Sequence, residues 1–83
     1  MKAVYFAWVR ERIGRADEEI APPAHVVTVG DLIAWLIAKG DEYEAAFTNP
    51  TLVRAAIDRA HVKHDAPIAG AREIAFFPPM TGG

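Results

Sequence analysis

The sequence predicts an α+β domain: a mixed sheet crossed by one main helix. Three observations predict it. A run rich in β-branched and aromatic residues opens the chain (Val4, Tyr5, Phe6, Trp8, Val9). A helix with signals at both ends follows, beginning at Thr28. Short strand-like runs separated by turn residues then occupy the second half, with no further long helical pattern. With 83 residues, there is room for one domain and one modest core.

Taken in order, Lys2–Arg10 reads as the first strand. Ala3, Tyr5, Ala7 and Val9 share one side. Val4, Phe6 and Trp8 share the other with Lys2 and Arg10 at its ends, which marks that side as the one facing solvent or a partner. Ile13–Asp17, containing Gly14, reads as a turn, and Glu18–Ala21 as a second strand completing a hairpin. Pro22 and Pro23 end the pairing because proline donates no ladder hydrogen bond. Thr28 then caps a helix, with Asp31 three residues on in a capping-box arrangement and Gly40 placed for a left-handed C-terminal residue. Val29, Leu32, Ile33 and Leu36 form its apolar stripe, Ile37 widens it, and Trp35 sits half-buried at its edge. Asp41–Phe47 reads as a second, short helix stopped by Asn49-Pro50. Leu52–Ile57 is a strand, Asp58-Arg59 a turn, His61–Lys63 a short returning strand, Pro67–Gly70 a loop and Glu73–Phe77 the last strand. A hairpin, a crossing helix and a strand returning to the first strand make the β-grasp plan.

Composition narrows the function classes. Hydrophobic residues are 52% and charged residues 24%, a globular balance. Net charge is −2 and there is no basic run, so no nucleic-acid partner is expected. There are no cysteines, which removes disulfides, cysteine-ligated zinc or iron–sulfur sites and a cysteine nucleophile. The apolar N-terminus meets Arg10, Glu11 and Arg12 at once and shows no signal-peptide cleavage site. No apolar stretch approaches the roughly 20 residues of a membrane span. A soluble, cytoplasmic domain without membrane contact is the expectation. The remaining constellations read as surface. His61 and His64 lack a third ligand, and Asp41, Glu42 and Glu44 form a solvated acidic helix start. Arg10, Glu11 and Arg12 make a charged rim, Thr81 has no base beside it, and Gly30 lacks the companions of a phosphate loop. No internal catalytic set emerges, and no metal or cofactor site is expected in this chain.

The end of the sequence carries the functional signal: Phe76-Phe77-Pro78-Pro79-Met80-Thr81-Gly82-Gly83. Residues 1–77 are expected to form the domain and residues 78–83 a projecting tail. Pro78 and Pro79 cannot continue a ladder and favour an extended path. Six residues at roughly 3.3 Å each reach about 20 Å. Gly82 and Gly83 present no side chains to a narrow channel, and a glycine carboxylate is the least hindered acyl group a chain can offer. Along the last strand, Ile74 and Phe76 alternate inward while Glu73, Ala75 and Phe77 face out, so Phe77 is a candidate partner contact beside the tail.

This ending resembles the terminal signature of the small subunits of molybdopterin synthase, within the ubiquitin-like sulfur carriers. The likeness extends to Val4-Tyr5-Phe6-Ala7 with Arg10-Glu11 and Gly14, to Thr28-Val29-Gly30-Asp31-Leu32, and to Ala55-Ala56-Ile57 before a tight turn. At Asp58-Arg59 the family often carries Asn first, and Asp serves that turn nearly as well. The resemblance implies a β-grasp fold and a sulfur-bearing co-substrate that is not a catalyst by itself. It implies that a ubiquitin-activating-like adenylyltransferase uses ATP and magnesium to adenylate the Gly83 carboxylate, and that a sulfur donor enzyme converts it to a thiocarboxylate. The tail, Pro78 to Gly82, would then insert into the large synthase subunit and deliver sulfur to cyclic pyranopterin monophosphate, in a heterotetramer with a dimeric large subunit. Phe6 and Phe77 would belong to the apolar surface facing these partners. Three rivals share parts of the pattern: a carrier serving thiamine, cysteine or tRNA thiolation, a protein-conjugation modifier, and a structural β-grasp module.

Overall fold

The computed structural model describes residues 1–79. In chain order it contains β1 (Lys2–Tyr5), α1 (Ala7–Ile13), β2 (Asp17–Glu19), α2 (Val29–Ile37), α3 (Asp41–Ala46), a 3-10 turn (Pro50–Leu52), β3 (Arg54–Ile57), β4 (Ala60–Val62) and β5 (Glu73–Phe77). The strands form one sheet in the order β2-β1-β5-β3-β4. β1 pairs antiparallel with β2 and parallel with β5, and β3 pairs antiparallel with both β5 and β4. This mixed sheet with its helices is the ubiquitin-like β-grasp, as expected.

The expected hairpin is corrected by a helix. β1 and β2 are neighbours, but α1 joins them and Lys2–Arg10 is not one strand. The strand stops at Tyr5. Phe6 keeps an extended backbone at φ −126° and ψ 155°, and Ala7 turns to a left-handed φ of 51°. From there Val9 and Ile13, four residues apart, bury one face of the helix. Gly14 closes it at φ 87°, donating its amide to the Arg10 carbonyl, while Arg10 and Arg12 lie in the last turn, where cations suit the helix dipole. Trp8 therefore leaves the outer sheet face assigned to it. It lies half-buried on α1 with the Arg12 guanidinium 4.5 Å above its ring.

The second helix forms as its sequence dictates. The Thr28 hydroxyl accepts from the Asp31 amide at 3.1 Å, and the Asp31 carboxylate accepts from the Thr28 amide at 3.1 Å, completing the capping box. Val29, Leu32, Ile33 and Leu36 are buried against the sheet, and Trp35 is half-buried. Gly40 is not the left-handed C-terminal residue expected; at φ 171° it is extended and precedes α3 instead. The 3-10 turn takes Leu52 out of β3, since Pro50 sets the first-turn geometry that the following residues continue. The core joins α1, α2 and α3 to the inward face of the sheet through Tyr5, Val9, Leu32, Leu36, Phe47, Ile74 and Phe76, each 2% exposed or less. Phe76 stacks on Tyr5 and takes an edge contact from Phe47 at 5.3 Å, which fixes the central strand.

Candidate functional site

Alternation along β5 settles which side chains are free to meet a partner. Ile74 and Phe76 are fully buried, whereas Glu73, Ala75 and Phe77 stand half-exposed on the outer face, so twist at the strand end does not reverse the parity. The register then assembles that face row by row. Ala75 lies beside Val4 of β1 and Ala56 of β3, and Ala56 lies opposite His61 of β4. One step toward the tail, Phe77 pairs with Arg54 on β3, and Phe6 follows Tyr5 on the β1 side. The small side chains of Ala56 and Ala75 leave a shallow groove of about 570 Å³ walled by Val4, Phe6, Phe77, His61, Arg59 and Glu73.

Both aromatics named from the sequence thus line one groove. Phe6 is 49% exposed, high for a residue of its size. Its outward position follows from the strand-to-helix junction, where the Phe6 amide donates to the Phe76 carbonyl at 3.1 Å before Ala7 turns left-handed. Phe77 meets the His61 ring at 5.2 Å, so the groove has an aromatic wall on its tail side. Alternation placed Ala75 on this face, as the structure has it, but sequence reasoning missed Ala56, Arg54 and His61 as parts of it. Alternation from Ala55 and Ile57, whose side chains belong to the core, was the available signal for Arg54 and Ala56.

The tail leaves from the middle of this arrangement. The β5 ladder stops at Phe77, and Pro78 and Pro79 follow half-exposed. Gly83, on which the sulfur chemistry was placed, and Met80, Thr81 and Gly82, assigned to tail insertion with Pro78 and Pro79, lie outside the described residues. The turn at the other end of the face is fixed by Asp58. Asp58 and Arg59 both adopt positive φ, 47° and 73°, as a two-residue hairpin turn requires. The Asp58 carboxylate accepts from the Arg72 and Glu73 amides, each at 3.0 Å, and so ties that turn to the start of β5.

On the helical side a carboxylate is held among aromatics. Glu18 accepts from the Tyr5 hydroxyl at 2.8 Å, from the Tyr43 hydroxyl at 2.6 Å and from the Arg15 guanidinium at 3.0 Å. Burial works against its charge, but the two hydroxyl bonds and Arg15 prevail and hold the carboxyl below its usual range. Burial and the same bonds push Tyr43 up to about 12, and Tyr5 is raised further. This network staples β2 to β1 and α3 and lies away from the groove. His61 and His64 do not converge: His61 faces Phe77, while His64 Nε2 lies 2.7 Å from the Val53 carbonyl. Among the described residues no group of three or more His, Asp or Glu side chains is arranged to hold a metal ion, and no helix is long and apolar enough to cross a membrane.

Comparison with known proteins places this geometry. The model of the ThiS family matches residues 3–83. The molybdopterin synthase sulfur carrier subunit of Escherichia coli (strain K12) is 37% identical over 83 residues, covering all of this chain and 99% of that protein. A solved structure from Pyrococcus furiosus, described as a molybdopterin converting factor, subunit 1, superposes with a TM-score of 0.75 at 26% identity, covering 95% of each chain. The small archaeal modifier protein 1 of Haloferax volcanii superposes with a TM-score of 0.72 at 19% identity, covering 96% of this chain and 97% of that one, and shares the fold.

Proposed function

The chain belongs to the ThiS family, and on that premise we propose that it is the sulfur carrier subunit of a molybdopterin synthase, working in the cytoplasm. One observation carries the reading: 37% identity to such a subunit runs the length of this chain, through the aromatic-proline run to Gly83. In this reading Gly83 bears the sulfur. A ubiquitin-activating-like partner adenylates its carboxylate with ATP and magnesium: a carboxylate oxygen attacks the α-phosphorus and pyrophosphate leaves. Sulfur delivered at the sulfide level by a donor enzyme then attacks the acyl carbon, the bond to the phosphate oxygen breaks, AMP departs, and a thiocarboxylate remains. Adenylation exchanges a poor leaving group for a good one, while this chain supplies the acyl group and the recognition surface.

The groove supports the same reading. Phe6 and Phe77 stand where β5 gives way to Pro78 and Pro79, so a partner that seats them meets the start of the tail at a fixed place. The large subunit is the partner that takes this face, and the sulfur passes there to cyclic pyranopterin monophosphate. The test uses the absence of cysteine. The protein is incubated with the activating enzyme, ATP and a sulfur source, treated with a thiol alkylator, and weighed intact. One added alkyl group at the C-terminus is expected. No label with an active partner, or a stable lysine-linked conjugate that requires Gly83, overturns the reading in favour of a modifier or a structural module.

A further inference from the structure

The outer sheet face carries more positive charge than its own carboxylates balance. At the tail end of the groove stand Arg54, opposite Phe77 on β3, and Lys63, which follows β4 in line with it. At the far end stand Lys2, Arg59 and Arg72. All five are exposed. The ion pairs among the described residues are Met1–Glu19 and Arg15–Glu18, so no described carboxylate reaches any of the five. Asp58, in the same turn as Arg59, spends its carboxylate on the Arg72 and Glu73 amides. Glu73 is the acidic side chain left on the groove wall. Two more carboxylates of this face, Asp17 beside Val4 and Glu19 beside Lys2, lie on the edge strand β2, across β1 from the groove, and Asp41, Glu42 and Glu44 lie at the start of α3. Lys2 stands in register between Glu19 and Glu73, so the unbalanced cations of this molecule of net charge −2 are Arg54 and Lys63 at one end of the apolar groove and Arg59 and Arg72 at the other.

Resting on the carrier reading, we propose that the partner surface seated on this face is an apolar patch bordered by carboxylates at two places. One borders Arg54 and Lys63 beside the tail, and the other borders Arg59 and Arg72. Overall negative charge argues against a nucleic-acid polyanion as the occupant, since it opposes the approach of a long phosphate chain. A folded acidic rim meets only the local field. The two cationic ends lie on either side of the groove along the strands, so they fix the heading of the docked carrier as well as its rate of encounter. That heading aims the tail. Charge at the rim acts mainly on association, while Phe6 and Phe77 on the groove wall act on dissociation.

The experiment measures association and dissociation rates of the full chain with its cognate large subunit across a salt series. Variants Arg54→Glu/Lys63→Glu and Arg59→Glu/Arg72→Glu are compared with Arg12→Glu/Arg15→Glu, which changes net charge equally on the helical side. Far-ultraviolet circular dichroism confirms that each variant is folded. The wild-type association rate should fall steeply with salt. Each outer-face pair should slow association about tenfold or more at low salt, with the dissociation rate little changed and the helical pair near wild type. Wild-type binding that is indifferent to salt, or equal slowing by all three pairs, overturns this inference and leaves the carrier reading intact. Absence of wild-type binding at every salt concentration overturns both.

Discussion

Replacing Glu18 by alanine removes one acceptor from two tyrosines at once. Tyr5 is 1% exposed and Tyr43 is 5% exposed, and both hydroxyls end on the same Glu18 oxygen at 2.8 and 2.6 Å. A hydrogen bond to a charged group contributes about 1.5–3 kcal/mol net. The Glu18 side chain is 10% exposed, so water enters beside it after truncation and recovers part of that. A loss of about 2–4 kcal/mol follows. Domains of this length hold roughly 4–12 kcal/mol in total, so the variant should approach half-unfolding under mild urea. Glu18→Gln keeps the shape and an acceptor but turns an amide donor toward Arg15, and should lose about 1–2 kcal/mol. Urea melts followed by tryptophan fluorescence measure both, because Trp8 on α1 and Trp35 on α2 report from different elements. The pH dependence has a definite sign. The folded carboxyl sits below its ordinary value of 4.5, so its contribution is complete above that pH and is lost as pH falls through the folded value. The gap between wild type and Glu18→Gln should therefore be full at neutral pH and close on strong acidification. A Glu18→Ala loss under about 0.5 kcal/mol, or a gap that persists unchanged into acid, refutes the reasoning.

Three further outcomes are expected. Both tyrosines of the chain sit on Glu18, so tyrosinate absorbance should be absent near pH 10 and rise only around 12, where Tyr43 is placed; a full step near 10 contradicts the network. Their raised values also mean that stability present below about pH 10 declines as pH climbs through the folded ones. Asp58→Ala should cost about 2 kcal/mol by freeing the Arg72 and Glu73 amides at a positive-φ position, and Asp58→Asn should cost less than half of that. Equal melting midpoints for the two variants would show that the side-chain acceptor is irrelevant. Phe77→Ala should leave the melting curve nearly in place yet weaken binding to the large subunit tenfold or more, about 1.4 kcal/mol, by calorimetry. Unchanged affinity removes Phe77 from the interface.

The parts of the fold governed by local rules were legible. The capping box at Thr28 and Asp31, the Asp58-Arg59 turn and the alternation of β5 each rest on neighbours a few residues apart, and each stands in the structure as read. The helix α1 escaped because Val4 to Val9 is an unbroken run of apolar residues, in which β-formers mask the start of a helix without a side-chain cap. Its end was marked all the same: Val9 and Ile13 share a face, two arginines occupy the last turn, and Gly14 supplies the left-handed stop. Gly40 misled for the opposite reason. A glycine past a helix suggests a left-handed residue, but the immediate start of α3 imposes an extended one. Of the site, Phe6 and Phe77 were legible from alternation and resemblance. Ala75 was read as outward too, but the joining of Ala56 and the surrounding cations to it was not legible, because it depends on strand order, and β5 lies between β1 and β3 despite their distance in sequence.

That strand order also sets how the molecule bears load. β5 is clamped on both sides, in register with four residues of β1 and four of β3, and its last residue leads directly into the tail. A pull on the tail along the strand loads both ladders in shear, so that many bonds must fail together instead of one after another as in peeling from an edge. The anchoring ring of Phe76, enclosed by Tyr5 and Phe47, adds resistance to sliding. A load applied at the end of β5 is thereby shared between two ladders and one buried ring, and the strand that carries the chain's end is the one least able to slip.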